Sequence, residues 1–154
     1  MKKYLFKCLM LICFCIFTLS SCKNQDFKEI VDKEIVDYEM DIDEVYDSER
    51  GFGNDRFTIY SFSVSGNKDM AGLKPINDLE KNKPMSLKDI KPKLEYIKQN
   101  HKDKIKDISE IEDFIRDLEA DEDGKFMYFV EGGTYKLYIY NPKTKNGYLF
   151  VFVI

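Results

Sequence analysis

The side chains able to do acid–base, nucleophilic or metal chemistry are few in kind and uneven in number. The 154 residues contain one histidine, His101, and four cysteines, against 28 Asp and Glu and 24 Lys and Arg. A serine-hydrolase triad needs an imidazole as its base, so it would have to be built on His101. That residue falls on an apolar stripe between Ile97 and Ile105, the position of a structural histidine near a helix end. Zinc sites draw three or four ligands from His, Cys and acidic residues, and one imidazole does not make a His-based set. Two carboxylates suffice for a glycoside hydrolase, but among 28 acids no particular pair stands out.

The cysteines are confined to the N-terminal end. Met1-Lys2-Lys3-Tyr4-Leu5-Phe6-Lys7 is positively charged, and Cys8 to Leu19, which includes Cys13 and Cys15, is almost wholly apolar. Such a run suits an export signal and falls short of the about 20 residues that a bilayer-crossing helix needs. It ends on Leu19-Ser20-Ser21-Cys22. The charged start, apolar run and small-small-Cys ending, in that order, resemble the lipobox signal of bacterial lipoproteins, over residues 1–22 only. The resemblance implies cleavage between Ser21 and Cys22, a diacylglyceryl thioether on the Cys22 sulfur, and a fatty acyl group such as palmitate on the new amino terminus. At about 0.8 kcal/mol per buried methylene, two or three chains anchor durably where one does not.

This implies a signal peptide over 1–21, a lipidated cysteine and short tether over 22–26, and a single globular domain over 27–154. The location expected is the bacterial cell envelope, on the extracytoplasmic side of a membrane. Lys23, rather than Asp, after the lipidated cysteine is compatible with outer-membrane sorting in a cell that has two membranes. With Cys8, Cys13 and Cys15 discarded and Cys22 acylated, no thiol remains for a disulfide, a nucleophile or a metal. Lys23-Asn24-Gln25-Asp26 reaches roughly 14 Å when extended, which keeps the domain close to the lipid.

Loss of Lys2, Lys3 and Lys7 leaves the acids seven ahead of the bases. An acidic domain of this kind excludes nucleic acid as the expected partner. Charge is also blocked: residues 26–50 and 107–131 are strongly acidic, whereas 81–106 is lysine-rich. The lysine block either folds against its acidic neighbours or meets anionic lipid headgroups.

Glu119-Ala120-Asp121-Glu122-Asp123-Gly124 is the most distinctive local pattern. Its alternating oxygens and its glycine at the sixth place resemble the front half of an EF-hand-type calcium loop. The match is partial, because Val130 stands where the closing bidentate Glu belongs. Two readings follow: a weak calcium site of Glu119, Asp121 and Asp123, or a solvated acidic turn capped by Gly124. Acids at the negative end of a helix repel it, so either a metal ion or a nearby lysine would relieve the turn. No cofactor other than the covalent lipid is expected.

The elements that must position these residues are read from periodicity. Phe27, Val31, Ile35 and Tyr38 mark an amphipathic helix to about Asp37, and 38–46 fits either helix or strand. Arg56–Val64 is a strand. Ser86 with Asp89 announces a helical stretch whose apolar positions run from Leu87 to Ile108, with Pro92 placing its regular part from near Ile90. Ser109 with Glu112 starts a second helix, which Gly124 ends. Lys125–Glu131, Thr134–Tyr140 and Tyr148–Ile154 form an antiparallel meander, because the links are too short for crossovers. The last strand is continuously apolar, so it needs both faces covered and belongs inside the sheet.

The fold class expected is α+β: an antiparallel sheet of about four strands, including the C-terminal three-stranded meander, with helices packed mainly on one face. Tyr138 and Tyr140, with Tyr60 and Phe62, would then occupy the face without helices. They are either packed by a loop such as 67–86 or offered to a partner, for which Tyr is well suited. The function expected is a non-enzymatic binding, inhibitor, immunity or envelope-adaptor domain facing an envelope or secreted protein. The alternatives are a small carboxylate-based hydrolase of envelope glycan and an ion- or solute-binding lipoprotein.

Overall fold

The computed structural model describes residues 40–48, 55–65, 70, 72–81, 85–105 and 107–154. The leader, Cys22, the tether and the helix expected over 27–37 lie outside these residues. Glu39–Ile154 cluster as one compact unit.

Among the described residues there are six strands: β1 (Met40–Asp47), β2 (Arg56–Val64), β3 (Lys74–Pro75), β4 (Lys125–Glu131), β5 (Thr134–Asn141) and β6 (Asn146–Val153). They form one antiparallel sheet in the order β1-β2-β6-β5-β4-β3. Two α-helices among the described residues, α1 (Leu87–Asn100) and α2 (Ile108–Ala120), complete an α+β architecture. The sheet is therefore two strands wider than the four expected. One addition is the two-residue β3, where Pro75 is tolerated because it sits at a sheet edge. The other is β1, which makes 40–46 of the ambiguous 38–46 segment a strand, 38 and 39 lying outside the described residues. Its register shifts between Glu44 and Tyr46, so Ile42 pairs with Phe62 while Tyr46 pairs with Ile59. This bulge turns Tyr46 into the helix-side core, where it is buried. It also breaks the two-residue alternation, which is why the same apolar residues fit a helical period.

β6 lies between β2 and β5, as its apolar sequence demands. On one face Phe150 is flanked by Ile59 and Leu137. These three, with Phe57, Phe126 and Ile139, share a core with Leu87, Ile90, Leu94 and Ile97 of α1 and Ile111, Ile115 and Leu118 of α2. On the other face Leu149 lies between Tyr60 and Tyr138. Each large side chain so buried stabilises the fold by roughly 1.5–3 kcal/mol. The β4–β5 hairpin closes on Gly132 and Gly133, whose φ angles of 54° and 83° are those that a tight two-residue hairpin requires.

α1 starts earlier than Pro92 suggests. Ser86 Oγ accepts from the Lys88 N–H (3.2 Å), and Asp89 Oδ2 accepts from the Ser86 N–H (2.8 Å). This capping box satisfies the first turn from Leu87 onward, and Pro92 is carried on the exposed side. The helix stops at Asn100, followed by a 3-10 turn over Lys102–Lys104, so the apolar stripe expected to reach Ile108 is split. α2 begins at Ile108 with Asp107 as its N-cap, two residues before the Ser109 cap expected. Among the described residues no helix is long and apolar enough to cross a membrane.

Gly147 sits opposite both Phe62 and Tyr140. A Cβ there would overlap the Phe62 ring and the Ile139 carbonyl oxygen. Gly147→Ala is expected to destabilise the domain by about 2–3 kcal/mol, read as a lower urea midpoint; a wild-type midpoint would mean that the ring swings aside freely. Deletion of 148–154 removes a strand that serves both cores and should abolish the cooperative transition altogether.

Candidate functional site

The acidic turn after α2 is organised by a lysine from the β5–β6 turn. Asn141 shapes that turn: its Oδ1 accepts from the Lys143 N–H (2.9 Å), and its carbonyl oxygen accepts from the Lys145 N–H (2.8 Å). Lys143 Nζ then reaches both Asp121 oxygens (2.9 and 3.0 Å) and Asp123 Oδ2 (3.2 Å). Glu119 turns the other way, and both its oxygens lie 2.7 Å from Lys91 Nζ on α1. The structure thus separates the three residues that a calcium reading would group. Among the described residues, no cluster of three or more His, Cys, Asp or Glu is placed to hold a metal ion. Gly124 is not the cap: the helix closes on Asp121, whose N–H bonds the Leu118 carbonyl (3.3 Å), and the Gly124 carbonyl instead accepts from Ile76 N–H (2.8 Å).

Pairing extends to the helix surfaces. Lys98 Nζ lies 2.7 Å from Glu112 Oε2, so Lys91 and Lys98 link α1 to α2 at two heights. At these two residues the lysine-rich block meets the acidic block that follows it in sequence. Lys93 lies 4.2 Å from the Phe152 ring centroid, a cation–π contact.

His101 is the C-cap of α1, its N–H bonded to the Ile97 carbonyl at 2.7 Å. Its ring sits against those of Tyr46 (6.1 Å) and Tyr96 (5.7 Å). The four aromatics proposed as a binding face do share one sheet face. Phe62 stacks on Tyr140 and meets Tyr138 edge-on, both at 6.2 Å. They are buried, however, with exposures of 6% for Tyr60, 3% for Phe62, 0% for Tyr138 and 1% for Tyr140. Met70 is also buried, and Gly72 lies near Met127 of the same face. Burial, then the charge of Glu44, pushes the Tyr60 phenol above its usual range.

A cleft of about 420 Å³ opens where the helix-side core stops. Sheet register builds it row by row. Asp43 pairs with Ser61, which pairs with Tyr148; Asp41 pairs with Ser63, which pairs with Asn146. Phe114 of α2 meets Tyr148 edge-on at 5.1 Å, and Glu110, one turn earlier, completes the rim. Asp41, Asp43 and Glu110 are exposed, while Tyr148 is half-buried, its phenol raised by burial and then by Glu110. Among the described residues these three carboxylates form no salt bridge. A glycoside hydrolase keeps its general acid in an apolar pocket, whereas these carboxylates stand open to water and offer charge and hydrogen-bond acceptance.

Sequence reasoning missed this cleft. The alternating Asp41 and Asp43, and Ser61 and Ser63, were visible as polar stripes on two strands, but only the register joins them. Compared with known proteins, the chain matches no family model, no curated protein and no solved structure.

Lys143 and the Asp123 N–H hold the Asp121 carboxyl below the usual carboxylate range, and Asp121, then Asp123, raises the Lys143 ammonium. The contribution of Asp121 is therefore present at neutral pH and lost as pH falls through its depressed value. Lys143→Met should lower the melting temperature at neutral pH by at most a few degrees, the pair being exposed. That gap from wild type should shrink as the pH drops below the usual aspartate value of about 3.9; a gap unchanged in strong acid would show that the pairing contributes nothing.

Proposed function

We propose that this chain is a membrane-anchored lipoprotein of the bacterial envelope whose globular part is a non-enzymatic binding domain, acting as an inhibitor, immunity protein or adaptor toward an envelope or secreted protein. The observation that carries the proposal is the order of the first 22 residues: basic start, apolar Cys8–Leu19, then Leu19-Ser20-Ser21-Cys22. Cys22 takes the lipid, and Ser21 and Cys22 flank the cleavage point.

The arrangement of reactive groups supports binding over catalysis. His101 is engaged as a helix cap between two tyrosine rings. Asp121 and Asp123 are bonded to Lys143, which disfavours the ion-binding alternative at that turn. The exposed carboxylates on β1 offer a charged, hydrogen-bonding surface. Complementary charge speeds association and selects partners.

The anchor is tested by metabolic labelling with a palmitate analogue in a lipoprotein-processing bacterium. Wild type should be labelled and shortened, whereas Cys22→Ala should lose label and accumulate as precursor; a labelled Cys22→Ala protein, or an unlabelled wild type, would remove the anchor. Crosslinking in intact cells, followed by identification of the copurifying protein, tests the binding role. Recovery of cleaved glycan products from the purified chain would favour the hydrolase instead.

A further inference from the structure

The helix-side face of the sheet changes character along the strands. Where β2 and β6 run together, Phe57 pairs with Phe152 and Ile59 with Phe150, all facing the helices. Two residues farther on, the same face carries Ser61 opposite Tyr148, and then Ser63 opposite Asn146. β1 adds Asp43 and Asp41 to these rows from the edge. Neighbouring strands lie about 4.8 Å apart and alternate residues about 6.8 Å apart. Asp43 and Tyr148, two strands apart, thus stand on the order of 10 Å from each other, with hydroxyls between them. α2 supplies the far wall, through Phe114 against Tyr148, and a third carboxylate, Glu110.

This combination has a definite chemical preference. Among the described residues no cluster of three or more His, Cys, Asp or Glu is placed to supply the cage of oxygens that a calcium ion takes. An ammonium is a compact point charge with three donors and no flat face to lay against an aromatic ring. A guanidinium is planar, carries five donors in a fixed fork and stacks on aromatic rings. Its donors suit carboxylates and serine hydroxyls spread over two rows, and its face suits an aromatic wall. The about 420 Å³ of the cleft accommodates one such side chain.

We propose that the cleft between β1, β2, β6 and the first turns of α2 receives an arginine side chain presented by a protein partner, with Asp41, Asp43 and Glu110 as charge acceptors and Tyr148 and Phe114 as the stacking wall. The proposal rests on the binding-domain reading and names the chemistry of its partner. Arginine is enriched among the residues that dominate protein interfaces. A free amino acid is disfavoured, because its own carboxylate would face three others.

The test uses the full lipidated chain in detergent micelles, with ¹³C-labelled tyrosine and phenylalanine rings observed by NMR. The probes are an acetyl-Gly-Arg-Gly amide peptide, its citrulline counterpart (neutral and of the same shape), its lysine counterpart, and free arginine. The arginine peptide should shift the Tyr148 and Phe114 rings saturably, more weakly as salt rises. The citrulline peptide should leave them unmoved, and the lysine peptide should bind less tightly.

Asp41→Asn with Asp43→Asn should weaken the arginine peptide about tenfold or more, the scale of a charge-assisted contact. Asp103→Asn, an exposed acid elsewhere, should not. Glu110→Gln, in place on the helix surface, gives a second reading should the double variant unfold. Equal shifts from arginine and citrulline peptides, no saturable shift at Tyr148, or affinity indifferent to the acid variants would each overturn the proposal and leave the β1 acids as guards of an edge strand. Free arginine binding as tightly as the peptide would overturn the protein partner. None of these outcomes depends on acylation of Cys22, so they are separable from failure of the anchor.

Discussion

The architecture is governed by a strand that cannot face water on either side. From Tyr148 to Val153 every side chain of β6 is apolar or aromatic, and Leu149 and Phe150, which point to opposite faces, are both fully buried. Such a strand cannot be an edge, and it cannot lie in a sheet with only one core. β2 and β5 satisfy its backbone on either side. The apolar stripes of α1 and α2 cover one face, and the tyrosines of β2 and β5 crowd the other. At Gly147, where β6 lacks a side chain, the Phe62 ring occupies the space and stacks on Tyr140.

Around this frame several of the charged residues pair with one another. A lysine-rich helix followed by an acidic one is an awkward sequence in extended form, yet as neighbours the two join through Lys91–Glu119 and Lys98–Glu112. The acidic turn is relieved from further away by Lys143, aimed by the Asn141 turn. These exposed pairs add modestly to stability. Their main effect is to assign roles: acids that could have served a metal are committed to lysines, whereas Asp41, Asp43 and Glu110 line an open cleft. The proposed binding role draws on that contrast.

Edge and cleft are connected through one irregularity. The bulge at Val45 lets β1 bury Tyr46 against the helices while keeping Asp41 and Asp43 on the same face farther along the strand. Without it, strict alternation would put Tyr46 on the opposite face from those acids. The Asp47 carboxylate, forked to Arg56, and the Ser48 hydroxyl, accepting from the Phe57 N–H at 2.9 Å, fasten that end of the β1–β2 pair.

Short-range pattern sufficed for much of this. The β-branched and aromatic run at Arg56–Val64, the glycine pair at 132–133 and the unbroken apolar strand near the C-terminus determined three hairpin-linked strands, one further strand and the central place of β6, because alternation, turn chemistry and the need for two-sided burial are local properties. His101 at a helix end was legible for the same reason. What lay beyond reach depended on register and on partners distant in the chain. The bulged β1 mimicked a helical period, the capping box outweighed Pro92, Lys143 came to Asp121 across 22 residues, and the cleft exists only because three strands align their polar positions in adjacent rows. Local sequence encodes which residues want burial; which charges meet, and which are left facing solvent together, is decided by the tertiary pairing, since electrostatic partners are chosen by distance in space and not along the chain.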